Sequence, residues 1–182
     1  MNIRLAILLI IMQLDTFQAK SQLFMTQAGE TSFFSETPLE NISALNKQVA
    51  AIINTSTSEV AVRIQNVAFH FPNKLMEEHF NENYMESEKY PNSTFKGKIQ
   101  EVIDFKKEGV YDVSVKGILE MHGVKQERVI KGKLTVGKEQ LTFVGNFDVK
   151  LADHKIEIPT LVMAKIAESL TVKNHFVFTP KK

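Results

Sequence analysis

The sequence predicts a single antiparallel all-β domain. Apolar and polar residues alternate with a period of two along most of the chain, which is the pattern of half-buried strands. Short segments with glycine, such as His122-Gly123, Val136-Gly137-Lys138 and Lys107-Glu108-Gly109, separate the alternating runs where a turn needs a positive φ. One face of each run is mainly apolar, so each sheet packs on one side only. A closed barrel and a two-sheet sandwich both satisfy this pattern.

The predicted strands differ in how strictly they alternate. They cover residues 31–37, 59–71, 93–103, 110–124, 126–136, 140–151 and 175–180. The most regular is "QLTFVGNFDVKL", and in "STFKGKIQEVI" only Glu101 interrupts the apolar face. In "EVAVRIQNVAFHF" the apolar phase changes from Val60, Val62 and Ile64 to Val67, Phe69 and Phe71, which predicts a bulge inside that strand.

Four glycines lie in mid-strand on the apolar face: Gly97, Gly117, Gly132 and Gly145. Glycine weakens a strand and marks a bend or a close approach of another group. In a barrel, four inward glycines predict either tight coiling of the strands or empty volume. The sequence leaves both open.

Two segments have helical spacing instead. "NKLMEEHFNENYM" places Met76, Phe80 and Tyr84 on one side, and Asn73 is a suitable N-cap. "PTLVMAKIAESL" begins at Pro159, which favours a first helical turn, and places Ile166 and Leu170 on one side. Both are short, so we expect each to pack its apolar side onto the sheet or over its open end.

The N-terminal segment predicts export. Arg4 precedes an apolar run from Leu5 to Leu14, which is shorter than the roughly 20 residues of a membrane-spanning helix. It fits the core of a signal peptide, and Ala19 and Ser21 are small residues suited to a cleavage site. We therefore expect residues 1–21 to be removed and residues 22–182 to form the domain, in the periplasm.

Composition excludes several classes of protein. The chain has no cysteine, which excludes disulfides and zinc–thiolate sites. Its net charge of +1 gives no reason to expect nucleic acid as a partner. No phosphate-binding loop or other cofactor motif is present, so we expect no cofactor.

Catalytic and metal-binding patterns are weak. Glu78, His79 and Glu82 could share one edge of a helix, but no second histidine follows at four-residue spacing, so no metal site is predicted. No serine lies in a Gly-x-Ser-x-Gly turn. We therefore predict that the protein is not an enzyme.

Several spaced motifs resemble the YceI-like family of bacterial lipid- or polyisoprenoid-binding proteins, in the version common in Bacteroidetes. They are His79-Phe80 followed by Tyr90-Pro91 and Phe95-Lys96-Gly97, then "GILEMHGVKQ", with Lys125 where the family has threonine, and finally "IEIPTLVMAKIAESLTV". The resemblance runs from about Phe33 to Phe178.

The resemblance implies an antiparallel, eight-stranded, lipocalin-like β-barrel with short helical lid or connector segments. Its pore would hold an isoprenoid or fatty-acid-like chain, and residues 79–91 would form the lid. The inward faces of the strands and of the first helical segment supply the candidate ligand-binding residues. They are Phe69, Phe71, Met76, Phe80, Tyr84, Met85, Phe95, Ile99, Val113, Val115, Leu119, Phe143 and Phe147.

Three functional hypotheses remain. The first is an exported carrier or store of a long apolar lipid, compatible with transient membrane contact and with a homodimer. The second is a barrel filled by its own side chains that acts as a stress-related or protein-interaction module. The third is a lipid-modifying enzyme, for which Glu101 and Arg128 would be the first suspects because both lie in phase with the apolar face.

Overall fold

The fold is a closed barrel. The computed structural model describes residues 22–159 and 166–181. Within these residues eight antiparallel strands pair in chain order, and the last pairs with the first. They are β1 (Leu23–Glu36), β2 (Asn41–Asn54), β3 (Glu59–Gln65), β4 (Asn92–Ile99), β5 (Gly109–Met121), β6 (Val124–Val136), β7 (Leu141–Lys150) and β8 (Ser169–Pro180). The antiparallel all-β prediction is confirmed, and the barrel is the correct one of the two architectures.

The two ends of the barrel are built differently. At one end, which we call the turn end, short connections join β2 to β3, β4 to β5 and β6 to β7. The opposite end, called the lid end, carries the β1–β2 turn, the two-residue β5–β6 turn at His122-Gly123 and two longer connections. Both residues of the β5–β6 turn have positive φ, 51° and 71°, as a type I′ hairpin requires. The longer connections run from β3 to β4 and from β7 to β8.

Strand β2 was missed by the sequence pattern. Its register against β1 slips between Thr31↔Asn46 and Gly29↔Val49, so its buried positions change from even to odd numbers. Asn46 is fully buried at the slip, where its side chain donates to the Gln65 carbonyl and accepts from the Gln48 amide. A polar inward residue and a phase change together hide the period of two.

The predicted bulge inside residues 59–71 is wrong. Strand β3 ends at Gln65, and a 3₁₀ turn, Asn66–Ala68, follows it. The turn buries Asn66 and leaves Val67 exposed, which also corrects the predicted inward position of Val67. His70 then pairs with Leu45 of β2 through two backbone hydrogen bonds, and Phe69 and Phe71 turn inward.

The mid-strand glycines form two facing pairs that allow tight coiling. Gly97 faces Gly117 across β4 and β5, and Gly132 faces Gly145 across β6 and β7. A Cβ atom on Gly97 would lie 2.6 Å from the Lys116 carbonyl oxygen, so only glycine permits this approach of the strands. Of the two alternatives left open by the sequence, close approach is the correct one at these positions.

The connection from β3 to β4 forms the predicted first helix. It contains α1 (Lys74–His79), which continues as a π-helical turn, Phe80–Tyr84. Asn73 is the N-cap, and its side chain accepts from the Leu75 amide at 2.9 Å, as predicted.

The second predicted helix is wrong at its C-terminal part. Residues 160–165 of that segment lie outside the described residues. Residues 166–168 are not helical, and Ser169 and Leu170 already belong to β8. The first part of the connection is instead a 3₁₀ turn, Leu151–His154.

The predicted signal peptide, residues 1–21, also lies outside the described residues. Within the part of the chain that the structure describes, no helix is long and apolar enough to cross a membrane.

Candidate functional site

A chamber of about 380 Å³ lies inside the barrel at its lid end. Its walls are mainly apolar and come from the strands, from α1 and the π turn, and from the β7–β8 connection. The apolar lining residues are Phe33, Ile42, Ile64, Phe69, Phe71, Leu75, Met76, Phe80, Tyr84, Met85, Leu119, Met121, Phe147, Val149, Leu151, Ile156, Ile166, Leu170 and Val172. Seven residues with polar side chains also border it: Thr31, Ser35, Glu40, Asn66, Asn73, His79 and Ser93.

A narrow extension of about 60 Å³ continues from the chamber toward the turn end. The two cavities share the lining residues Ile64, Ser93, Leu119, Phe147 and Val172, which we call the waist. Below the waist, Phe95, Phe143, Phe176 and Phe178 border the extension. The interior is therefore wide near the lid and almost closed near the turns.

Aromatic rings attach the lid to the rim of the barrel. Phe80, in the π turn, packs on Phe33, Phe69 and Phe71, with ring centroids 5.6, 5.6 and 5.1 Å apart. Such tilted and stacked pairs each stabilise by roughly 1 kcal/mol beyond the buried area. The aromatic residues that hold the lid on the barrel therefore also line the chamber.

Asn66 joins the two ends of the lid connection. Its side-chain nitrogen donates to the Tyr90 carbonyl at 2.6 Å, and its side-chain oxygen accepts from the Ser93 hydroxyl at 2.9 Å. Its backbone amide donates to the Pro91 carbonyl. Because Asn66 is 1% exposed, these bonds replace water that the side chain cannot reach.

Two histidines link the lid to the β5–β6 turn and the β7–β8 connection. His122 Nε2 lies 2.7 Å from a carboxylate oxygen of Glu86, and its Nδ1 lies 3.0 Å from the His154 carbonyl. Both neighbours are hydrogen-bond acceptors, so His122 joins the lid to the β7–β8 connection. The hydrogen bond from His122 is the main cause that lowers the pKa of Glu86, and Lys89 adds to it.

His154 is fully buried beside this link. Its Nδ1 donates to the Met121 carbonyl at 3.3 Å, and its Nε2 has no hydrogen-bond partner among the described residues. Burial lowers the pKa of His154, and the nearby Arg128 adds to the effect. This imidazole is therefore neutral at neutral pH.

Three further polar groups in or near the chamber are engaged or neutral. Thr31 donates to the Asn174 side chain at 2.8 Å near the waist. Burial raises the pKa of Tyr84, which keeps its hydroxyl neutral. Glu77 on α1 bonds Lys74 and the Phe71 amide, which lower its pKa to about 2. The mainly apolar chamber can therefore hold an apolar chain, and Glu40 and His79 are the acidic and basic side chains among its described lining residues.

The structure brings most of the predicted ligand-binding residues to the interior cavities. Phe69, Phe71, Met76, Phe80, Tyr84 and Met85 line the chamber; Phe95, Ile99, Val115 and Phe143 line the extension; and Leu119 and Phe147 lie at the waist. Val113 lines neither cavity, because it is buried in the packed core near the turn end. Contact of these residues with a ligand stays a prediction.

Sequence reasoning missed part of the lining. Ile42 was missed with β2, and Ile156 lies in the β7–β8 connection, where no inward face was predicted. Leu151 was on the predicted inward face of residues 140–151 but was not selected as a candidate. Val60, Val62 and Ile64 carried the alternating signal but were not selected as candidates. The links made by Asn66 and His122 were not predicted, since they depend on partners far along the chain.

The two suspects for an enzyme are engaged elsewhere. Glu101 accepts from the Ser114 amide at 2.7 Å, which lowers its pKa, and it lies beyond the end of β4. Arg128 donates to Asp153 at 2.7 Å. Neither borders a cavity, so the structure does not bring them together as a catalytic pair. In the described part of the chain, no three His, Asp or Glu side chains are arranged to hold a metal ion.

Comparisons with known proteins agree with this geometry. The model of the YceI-like domain family matches residues 16–178. A search of curated protein sequences finds no match.

Solved structures with the same fold include three bacterial proteins. A polyisoprenoid binding domain from Saccharophagus degradans, implicated in plant cell wall breakdown, aligns with a TM-score of 0.75 at 15% identity, over 89% of this chain and 100% of its own. Burkholderia cenocepacia BcnA aligns with a TM-score of 0.69 at 15% identity, over 82% of this chain and 95% of its own. The Campylobacter jejuni YCEI protein aligns with a TM-score of 0.60 at 20% identity, over 75% of this chain and 84% of its own.

Proposed function

Because the chain belongs to the YceI-like domain family, we propose that it is an exported carrier or store that holds a long apolar lipid in its chamber. The observation that carries this proposal is the apolar chamber of about 380 Å³ beneath the lid. A volume of this size is in the range of small-molecule binding sites, about 300–1,000 Å³. The structural neighbour from Saccharophagus degradans is a polyisoprenoid binding domain, which supports an isoprenoid or similar amphiphile as cargo.

The energetics favour exchange with a membrane. Each buried methylene group stabilises the complex by roughly 0.8 kcal/mol relative to water. A lipid in a bilayer is already in hydrocarbon, so its transfer into an apolar chamber is close to neutral. The protein would therefore remove and return lipid without an energy source, and selectivity would come from the shape of the chamber and its few polar groups.

The mouth supports transient contact with a bilayer. Leu39 in the β1–β2 turn is 67% exposed, and Leu75 on α1, which also borders the chamber, is 56% exposed. Exposed apolar side chains at the entrance would lower the barrier for a lipid tail that leaves the membrane. Pairing of two copies stays a prediction.

Export to the periplasm is part of the proposal and is supported by the sequence alone. The apolar run from Leu5 to Leu14 and the small residues near Ser21 fit a signal peptide. Cell fractionation followed by N-terminal sequencing tests this point. A mature protein that begins at Gln22 in the periplasmic fraction is expected, and an intact N-terminus in the cytoplasm would contradict it.

The decisive test is the identification of bound lipid. Residues 22–182 are purified without detergent and extracted with organic solvent, and the extract is analysed by mass spectrometry. We expect one long-chain apolar species in stoichiometric amount. A matched pair of variants gives the control: Ile42→Trp places a larger ring in the chamber, whereas Ile118→Trp places it on the exposed outer face.

Each outcome bears on a different hypothesis. Loss of lipid from the Ile42→Trp protein, with lipid retained by the Ile118→Trp protein, would support the chamber as the site. A clean extract from the natural sequence, together with no uptake of added prenols of any length, would favour the side-chain-filled module. The enzyme hypothesis has no support from Glu101 and Arg128, since both are bound to other groups away from the cavities.

A further inference from the structure

The interior volume limits how much of a lipid the barrel can enclose. The chamber and its extension measure about 380 and 60 Å³. The extension is much the smaller of the two, so the interior below the waist adds little room for a chain.

The lower barrel is closed by rings that rest directly on the glycine pairs. A Cβ on Gly97 would lie 2.9 Å from the Phe95 ring, and a Cβ on Gly145 would lie 2.6 Å from the Phe143 ring. Each ring therefore lies over the bare backbone of its own strand. It fills space that side chains at the glycine positions would otherwise occupy.

These rings have no room to move outward. The backbones behind them are at the limit of approach, since a Cβ on Gly132 would lie 2.5 Å from the Val144 carbonyl oxygen. On the other side, Phe143 stacks on Phe176 with ring centroids 6.3 Å apart, and Phe176 packs edge-on against Phe178. The closure below the waist thus belongs to the packed core and is not a flexible gate.

We propose that Phe95 and Phe143 set the depth to which an apolar tail can enter the barrel, and with it the longest tail that the barrel encloses. This inference rests on the proposed function, because it specifies the length of the cargo that the same chamber takes. A much longer tail would leave most of its carbons outside, at the mouth. Carbons outside the barrel lose the hydrocarbon environment of the bilayer and gain nothing in return.

Extraction from vesicles measures this limit directly. Phosphatidylcholine vesicles carry equal amounts of prenols of two, three, four and nine isoprene units, and are incubated with residues 22–182 freed of lipid. The protein is separated, and each prenol is counted by mass spectrometry. We expect the three-unit prenol to exceed the nine-unit prenol by at least about tenfold, because each exposed unit disfavours transfer. A parallel series of unbranched alcohols of matching lengths distinguishes isoprenoid from acyl tails.

Ring removal tests the assignment to particular residues. Phe143→Ala opens the extension by about one isoprene unit and should raise the ratio of four-unit to three-unit prenol by about fivefold. Phe143→Leu and Phe95→Leu are milder changes that keep the test valid if the alanine variant does not fold, and each should move the ratio in the same direction. Val113→Ala is the control, since Val113 is buried near the turn end but borders neither cavity.

The outcomes separate the limit from the function on which it rests. Equal uptake of three-unit and nine-unit prenols would overturn the length limit and leave the carrier intact. If Val113→Ala changes the ratio of four-unit to three-unit prenol as much as the phenylalanine variants do, the role of the two rings is overturned. Uptake of no prenol and no alcohol at any length would overturn both the limit and the carrier.

Discussion

The lid-end and turn-end halves of the barrel are built from the same strands but have opposite interiors. Near the turns, Leu134, Leu141 and Phe178 are at most 1% exposed and pack into a continuous core. Near the lid, the inward faces of the same sheet border a chamber of about 380 Å³. One half is therefore filled by packed side chains, and the other contains open volume.

The difference arises from what covers each end. Near the turns, glycine pairs bring neighbouring strands together and phenylalanine rings fill the remaining volume. Near the lid, a connection from β3 to β4 holds its aromatic and methionine side chains across the opening. An apolar inward face is thus necessary for a lipid chamber but does not by itself create one.

The largest expected effect is a difference in the free energy of unfolding between core truncations in the two halves. Leu141→Ala should lower the free energy of unfolding by about 2–5 kcal/mol, because it leaves a void in a packed region. Met76→Ala, on the partly buried face of α1 beside open volume, should cost about 1 kcal/mol. Urea denaturation of both variants measures the difference, and equal losses would show that the two halves are equally packed.

An intermediate effect is expected from two buried asparagines. Asn66→Ala leaves the Tyr90 carbonyl and the Ser93 hydroxyl without their partner, and should cost about 1–3 kcal/mol. Asn46→Ala is the matched control, since Asn46 is equally buried but bonds within β2 and to the end of β3. A similar loss in the free energy of unfolding is expected for Asn46→Ala.

Limited trypsin digestion separates these two variants. Only Asn66→Ala should accelerate cleavage at Lys74 and Lys89, which lie within the lid connection that Asn66 closes. Cleavage that is equally fast in Asn46→Ala would mean that Asn66 stabilises the whole barrel without any special role at the lid.

The smallest effect is a dependence of stability on pH from His154. Burial lowers its pKa in the folded protein, so the unfolded chain binds the proton more readily. Its contribution to stability is complete above the unfolded pKa of about 6.5 and is lost as the pH falls below that value, by at most about 1.4 kcal/mol per pH unit. Denaturation at pH 7.5 and 5.5 should show this loss.

A variant without the imidazole isolates the effect. His154→Gln carries no titrating group and should lose less stability between the two pH values than the natural sequence. The carboxyl of Glu86, whose pKa is lowered below 4.5, begins to lose its contribution only at more acidic pH. An unchanged difference between the two pH values in the variant would assign the loss to other groups.

Strands were predictable where inward and outward residues alternate without interruption. In β5, β6 and β7 the predicted inward positions are the buried or half-buried ones. Strand β2 was not predictable, because the slip at Asn46 reverses its phase and places an amide in the interior. The change after Ile64 was read as a bulge, because a 3₁₀ turn produces the same shift in the apolar pattern.

The lining of the site was partly predictable, and its shape was not. Phe69 and Phe143 both read as inward aromatic residues, yet one borders a wide chamber and the other closes the lower barrel. That distinction depends on distances between strands and on the position of the lid, which residue pattern does not encode. The links made by Asn66 and His122 join residues more than twenty positions apart, so no local pattern predicts them.

Strands β1 and β8, which close the barrel, also determine where another molecule can be linked to the protein. The described chain enters and leaves at the turn end, where the Lys181 amide donates to the Leu23 carbonyl and the Thr55 amide to the Gln22 carbonyl. The chamber opens at the opposite pole, beneath the lid. A fusion partner or a surface tether can therefore be added there without covering the opening of the chamber.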